Sequence, residues 1–244
     1  MRINQYLARA GLLSRRKAEA LIRAGRVRVN GQPADLTTRV GEGDLVEVDG
    51  KRLELPKTVV IALHKPRGYT TTRSDPHAER TVYELLPDIP GLHPVGRLDK
   101  DSEGLLLFTN DGRLTHRLTH PRHGVRKVYR VWTKGGTLPQ ALCQKLMEGV
   151  LLEDGPARAL SCRPAPGGAV LVLAEGRKRE VRRMLKAAGR PVTRLLRLQV
   201  GPIPLGDLPP GKWRRLRPEE VEALYTEADV HGRERTRTDS RGED

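Results

Sequence analysis

The densest concentration of chemically useful side chains is the run Gly96-Arg97-Leu98-Asp99-Lys100-Asp101-Ser102-Glu103-Gly104, which leads directly into the apolar Leu105-Leu106-Leu107-Phe108. Acids at alternate positions with a glycine at the sixth imitate the opening of a calcium loop. Such a loop needs a bidentate Glu at its twelfth position, which here is Asn110, and the residues after the glycine read as a strand, so the calcium reading fails. From these residues alone there remains an acidic turn before a buried strand. A second concentration is cationic: Arg177, Lys178, Arg179, Arg182 and Arg183 put five basic residues into seven. That is more than a solvated helix face needs, and some of them are expected to meet phosphate. His116, His120 and His123 hint at a metal, but they lie among arginines without a Cys or carboxylate ligand set, so no metal site is expected.

Composition limits what this chemistry can act on. Forty-five Lys and Arg face thirty Asp and Glu in 244 residues, a formal net charge of +15. An excess of that size favours a polyanionic partner, because neutralised phosphates release counterions. Aromatics make up only 3%, which argues against a platform of stacked bases. No apolar run approaches the roughly 20 residues of a membrane span. The start, Met-Arg-Ile-Asn-Gln, lacks the apolar core of a signal peptide. Cys143 and Cys162 have no metal-type spacing, and a disulfide or zinc framework is not expected. The expected location is the cytoplasm, without membrane association.

The elements that must position these residues fall into two sections and a tail. Ile3, Tyr6, Leu7 and Ala10 have helical spacing, with Gly11 as a stop, and Ser14 is placed to cap a second helix carrying Ala18, Leu21 and Ile22. Val27 and Val29 alternate with Arg26 and Arg28 as a half-exposed strand, Asn30-Gly31 supplies a tight turn, and Leu45–Val48 forms another strand. Residues 1–40 carry nine Lys or Arg against two acids, a net +7, with Arg15, Arg16, Lys17, Arg26 and Arg28 forming a concentrated patch. A linker is expected over Lys51–Lys57. Beyond it, strands are expected at Val59–Leu63, Leu105–Phe108, Val128–Trp132, Ala169–Ala174 and Leu195–Val200. Helices are expected at Gln140–Met147, Glu180–Ala188 and Glu219–Glu227. The fold class is α+β: a small amino-terminal α/β module (1–56), a domain with a mixed, mainly antiparallel sheet flanked by helices (57–228), and a disordered polar tail (229–244).

Two resemblances attach to these patterns. Leu7-Ala8-Arg9-Ala10-Gly11, Ser14-Arg15-Arg16 and Gly25-Arg26-Val27-Arg28-Val29-Asn30-Gly31 resemble the small RNA-binding domain of ribosomal protein S4. Gly96-Arg97-Leu98-Asp99, followed by Ser102-Glu103-Gly104-Leu105-Leu106, resembles the active-site signature of the pseudouridine synthases. Leu63-His64-Lys65-Pro66-Arg67-Gly68-Tyr69 is similar to that family's first motif, although His64 stands where relatives commonly carry Asn. Lys127-Val128-Tyr129 is similar to the motif of the pocket tyrosine, and Glu175–Met184 to the third motif. Four motifs in order over residues 60–200, behind the amino-terminal module, identify the chain as a member of the bacterial ribosomal pseudouridine synthases.

The resemblance implies roles. The reaction breaks the C1′–N1 bond of a uridine, turns the base and rejoins it through C5. Asp99 would be the catalytic carboxylate, either attacking the nucleoside or assisting proton removal at the ribose. A lone carboxylate in a closed pocket needs a cation beside it, and the third motif offers Arg182, with Arg179 in reserve. Tyr129 would stack on the flipped uracil or take part in proton transfer, with a core tyrosine as the alternative. Arg97 would occupy the space the base vacates. Lys65, Arg177 and Arg179 would contact RNA. No cofactor is implied, because the reaction is an isomerisation.

Gly149–Ala157, Glu180 and the stretch Ile203-Pro204-Leu205 to Trp213 look most like the large-subunit branch. The expected partner is therefore 23S rRNA near the peptidyl-transferase centre, bound by a monomer. The alternatives are 16S rRNA as substrate, and a non-catalytic ribosome-assembly factor.

Overall fold

In the computed structural model, residues 1–10, 14–55, 57–73 and 77–226 are described, and the side chain of Arg15 lies outside that description. The chain divides into two compact units. One comprises Met1–Val59 with Asp88–His93 and Thr109–Gly112; the other comprises Val60–Pro87, Pro94–Phe108 and the residues from Arg113 on.

In the first unit, helices α1 (Ile3–Arg9) and α2 (Arg15–Arg23) share a core with a four-stranded antiparallel sheet. The α2 helix starts where it does because the Ser14 hydroxyl accepts from the Lys17 N–H at 3.4 Å. The strands are β1 (Val27–Val29), β2 (Gln32–Pro33), β3 (Val46–Val48) and β4 (Lys51–Leu53), in the order β2-β1-β3-β4. Asn30 and Gly31, with φ of 50° and 76°, make the type I′ turn between β1 and β2. Ile3, Leu7, Ala18, Val27 and Val46 are fully buried at the centre. Lys51–Leu53 is a strand paired with β3 and not the start of a linker; exposed Lys51 and Arg52 give it the charged look of a protected sheet edge. Asn110, the residue that rules out a calcium loop, accepts from the Val59 N–H and donates to the Lys57 carbonyl, both at 2.9 Å. Gly11 lies outside the described residues, and α1 ends at Arg9.

The second unit is built on a mixed, mainly antiparallel sheet. Its elements in chain order are β5 (Val60–Lys65), β6 (His93–Val95), β7 (Glu103–Thr109), α3 (Gly112–Thr119), β8 (Lys127–Thr133), α4 (Gln140–Glu148), β9 (Val150–Leu152), β10 (Gly155–Ala157), β11 (Ser161–Ala165), β12 (Gly168–Leu173), α5 (Glu180–Ala187), β13 (Val192–Val200), β14 (Ile203–Pro204) and β15 (Trp213–Arg215). A last helix covers residues 218–226. The main path runs β11-β12-β8-β13-β7-β5-β15, with β6 beside β7 and β14 beside β13. The β9–β10 hairpin stands apart from this sheet.

Two apolar clusters flank β13. Tyr129, Val131, Cys143, Leu146, Val181, Met184, Leu185 and Leu195 form one, with α4 and α5. Leu105, Leu107, Leu114, Leu118, Val200 and Leu224 belong to the other, with α3 and the last helix. The β13 strand pairs antiparallel with β8 and parallel with β7, where Arg197 lies opposite Gly104. A register shift between Arg197 and Gln199 re-aims the side chains at that point. Gly104 is required there: at φ 107°, an added Cβ would lie 2.4 Å from the Arg197 carbonyl oxygen. Cys143 and Cys162 are buried free thiols. Among the described residues no helix is long and apolar enough to cross a membrane. The tail expected over 229–244 lies outside the described residues.

Candidate active site

The loop carrying Asp99 connects β6 to β7 and is pinned from several directions. The Thr71 hydroxyl donates to the Leu98 carbonyl at 2.7 Å, and the Gly68 N–H donates to the Lys100 carbonyl at 2.8 Å. Within the loop, the Ser102 N–H reaches the Asp99 carbonyl at 3.0 Å. Lys65 contributes most. It is fully buried at the end of β5, and its ammonium donates to the carbonyls of Ser102 (2.7 Å), Pro66 (3.0 Å) and Lys100 (3.4 Å). Burial pushes its pKa down to about 8, against the pull of Asp101, Asp99 and Glu103. The expectation that Lys65 contacts RNA is therefore corrected. A side chain with no exposed surface and three carbonyl partners cannot reach a phosphate, and it acts on the loop instead.

Arg179 supplies the cation nearest Asp99. Its Nη1 stands 3.5 Å from Asp99 Oδ2, while its two Nη atoms donate to both oxygens of Asp101 at 2.9 and 3.1 Å. Arg182, the first choice for this pairing, is directed at Asp101: it lies 3.5 Å from that carboxylate and donates to the Asp101 carbonyl at 3.0 Å and the Ser102 hydroxyl at 3.2 Å. The reason is local backbone geometry. Arg179 precedes α5 with φ 52°, a left-handed conformation costing an arginine of order 1 kcal/mol. It caps the helix from outside the helical register, whereas Arg182 is carried within the first turn. Asp101 is held well below the usual carboxylate range, chiefly by its hydrogen bonds from Arg179 and against a desolvation that opposes it.

Asp99 and Tyr129 open onto one cavity of about 550 Å³. Arg97, Ser102, Lys127, Arg179, Arg182 and Arg197 also line it. Asp99 keeps 35% of its side chain exposed, and Tyr129 is buried in β8 with 8% exposed, so the tyrosine serves both as core and as cavity wall. The sequence assigns no role at the site to Asp101, Lys127 or Arg197. For Lys127 a signal existed: on a strand, residues i and i+2 share a face, which places it beside Tyr129.

The remaining expected residues scatter. Arg97 is exposed at the cavity. Arg177 donates to Glu180, to Asp154 and to the Pro156 carbonyl, and lies 3.3 Å from Glu175. With Arg183, which grips both oxygens of Asp154 at 2.7 and 3.0 Å, it locks α5 to the β9–β10 hairpin. Its expected RNA contact is corrected to a structural one, because carboxylates and carbonyls already take up its donors. In the first unit Arg16, Lys17 and Arg28 are exposed, and Arg26 is paired with Asp49 at 2.7 Å; the side chain of Arg15 is outside the description. His64 is a core histidine whose Nδ1 lies 2.7 Å from the Leu208 carbonyl. The rings of His116, His120 and His123 gather with centroids 4.9 to 6.2 Å apart, and Arg122 donates to His123 at 3.1 Å. Among the described residues no group of three or more His, Cys, Asp or Glu side chains is arranged to hold a metal ion.

Residues 59–187 match the RNA pseudouridylate synthase family, and residues 1–46 match the S4 domain. An uncharacterized RNA pseudouridine synthase of Aquifex aeolicus is 44% identical over 234 residues, spanning 92% of this chain and 94% of its own. The ribosomal large subunit pseudouridine synthase B of Bacillus subtilis is 39% identical over 241 residues, covering 95% and 98%. A solved crystal structure of a pseudouridylate synthase superposes with a TM-score of 0.66 at 29% identity, covering 92% of this chain and 99% of that one. The chain belongs to the RNA pseudouridylate synthase family and is an RNA pseudouridine synthase with an S4 domain in its first 46 residues.

Proposed function

We propose that this protein isomerises a uridine of 23S ribosomal RNA to pseudouridine, with Asp99 as the catalytic carboxylate. The observation that carries the reading is the cavity in which a partly exposed Asp99, braced by Arg179 at 3.5 Å, shares the wall with Tyr129. The target uridine leaves its stack to enter that cavity. Arg97, exposed at the cavity, takes the place of the departed base, and the Tyr129 ring supports the uracil. Arg179 stands beside Asp99 at 3.5 Å, and a carboxylate so placed suits attack at C1′ as well as removal of a ribose proton. The loop braces from Lys65, Thr71 and Arg182 keep the carboxylate from drifting as charge moves.

The name of the Bacillus subtilis relative, at 39% identity over nearly the whole chain, supports the large-subunit target. The S4 domain adds RNA affinity through Arg16, Lys17 and Arg28. On this reading the protein works as a monomer in the cytoplasm, where ribosomes are assembled. The test is pseudouridine mapping on rRNA from cells lacking the protein, complemented with wild type or Asp99→Asn. One 23S site lost in the deletion and restored only by wild type is expected. A lost 16S site would overturn the subunit assignment. Full restoration by Asp99→Asn would overturn the role of the carboxylate. Loss of no site, with RNA binding intact, would favour an assembly factor.

A further inference from the structure

Lys65 and Lys127 are both pushed down to about 8, and burial is the main cause for each. Their surroundings differ. The Lys65 ammonium is enclosed by three carbonyl acceptors. The Lys127 ammonium has no hydrogen bond or ion pair with any described residue and faces the cavity that holds Asp99 and Tyr129. The charged groups nearest it explain why. Arg197 repels it from the neighbouring strand, and the two acids that attract it, Glu180 and Glu175, are both engaged by Arg177. Strand alternation along β8 puts Lys127 on the same face as Tyr129, two residues on. A half-buried ammonium on a cavity wall, with no protein group taking up its donors, is placed to donate to a ligand that enters the cavity.

We propose that Lys127 is a catalytic residue that holds the uracil by a carbonyl oxygen and offsets the negative charge the base acquires when the C1′–N1 bond breaks. This rests on the proposed function. By either route open to Asp99, the electron pair of the C1′–N1 bond leaves with the base. The uracil becomes an anion whose charge spreads over N1, O2 and O4. The ammonium donates to O2 or O4 and keeps its own proton throughout. The charge is consumed when C5 bonds to C1′, and the proton lost from C5 balances the one gained at N1. A fixed cation in a partly dry cavity is effective for this, because it needs no reorganisation as the charge develops.

The test compares wild type, Lys127→Met and Lys127→Arg on 23S rRNA transcripts made with uridine or with 5-fluorouridine, whose more acidic base leaves more readily as an anion. Single-turnover loss of the intact target nucleoside is read by mass spectrometry, alongside RNA affinity and Tm. With uridine, Lys127→Met is expected to be slower by on the order of 100-fold, with RNA affinity little changed and Lys127→Arg recovering most of the rate. With 5-fluorouridine the loss is expected to shrink several-fold. The Tm of Lys127→Met is expected to hold or rise, since a half-buried charge that no protein group pairs is removed. A wild-type rate in Lys127→Met, equal losses on both bases, or a fall in Tm accounting for the loss would each overturn the inference. No conversion by wild type would overturn the proposed function, and this inference with it.

Discussion

Arg179 serves Asp101 with both arms of its guanidinium, at 2.9 and 3.1 Å, and reaches Asp99 only at 3.5 Å with an arm already engaged. Asp101 is therefore the anchor, and Asp99 is left partly exposed with a cation beside it that is not its own closest partner. That division leaves Asp99 open to a ligand, as the catalytic role proposed for it requires.

The arrangement depends on the planar fork of arginine, which one ammonium cannot imitate. Arg179→Lys is expected to lower turnover by about 10- to 100-fold while RNA affinity stays within a few-fold. Asp101→Asn is expected to have a smaller effect in the same direction, since Arg182 still holds the loop through the Asp101 carbonyl. Single-turnover rates measured beside binding constants check both. An Arg179→Lys enzyme at full speed would remove this cation from the mechanism.

Lys65 offers a sharp contrast between reading a residue as an RNA contact and as a loop brace. Lys65→Met takes the ammonium donor from the Ser102 and Pro66 carbonyls, while the Lys100 carbonyl keeps the Gly68 N–H, a loss of about 1–3 kcal/mol. Tm and turnover are both expected to fall, with RNA affinity unchanged at low and high salt. A shallower salt dependence of binding would point back to a phosphate contact.

Gly104 meets the backbone of Arg197 across the parallel pair. Gly104→Ala combines a left-handed strain with a 2.4 Å clash against a carbonyl oxygen, and a destabilisation of about 3 kcal/mol or more is expected. Chemical denaturation of the variant checks this, and a stability matching wild type would mean that the two strands can separate without cost.

The last helix is tied to β15 by Glu220, which accepts from Arg214 at 2.8 and 2.9 Å and from the Arg217 N–H at 2.8 Å. Those bonds, the Arg214 pair above all, hold its pKa at about 2 against an ordinary 4.5. The folded state binds the proton less readily than the unfolded one, so the stabilisation is fully present above pH 4.5 and is lost as pH falls through 2. Glu220→Gln is expected to lower Tm at pH 7 and to converge with wild type as the pH approaches 2. A Tm difference independent of pH would assign the loss to packing.

Local chemistry was the part most legible in the sequence. Ser14 does cap α2, Asn30-Gly31 does make the tight turn, and the β8 alternation puts Tyr129 inward, because each depends on a few adjacent residues. What escaped depends on distant partners. Helix α3 has only Leu114 and Leu118 as its fully buried residues in a polar segment, too little for a periodic signal. Strand β4 reads as a charged linker until β3 pairs with it. Lys65 sits at the end of an apolar strand, where a sequence shows a cation but not the carbonyls 35 and 37 residues away that enclose it. The choice between Arg179 and Arg182 turned on one left-handed residue, and nothing in a run of basic side chains marks which of them will adopt it.

Burial of the Lys65 amine makes it a chemical clock for the loop it supports. Amine-acylating reagents modify exposed lysines such as Lys17 at the rate of the reagent, but they reach Lys65 only when the segment around Asp99 opens. The ratio of the two labelling rates gives the equilibrium for that opening directly. Bound RNA that closes over the loop slows the Lys65 reaction without altering the chemistry of the amine, so the protein carries an internal gauge of its own engagement with substrate.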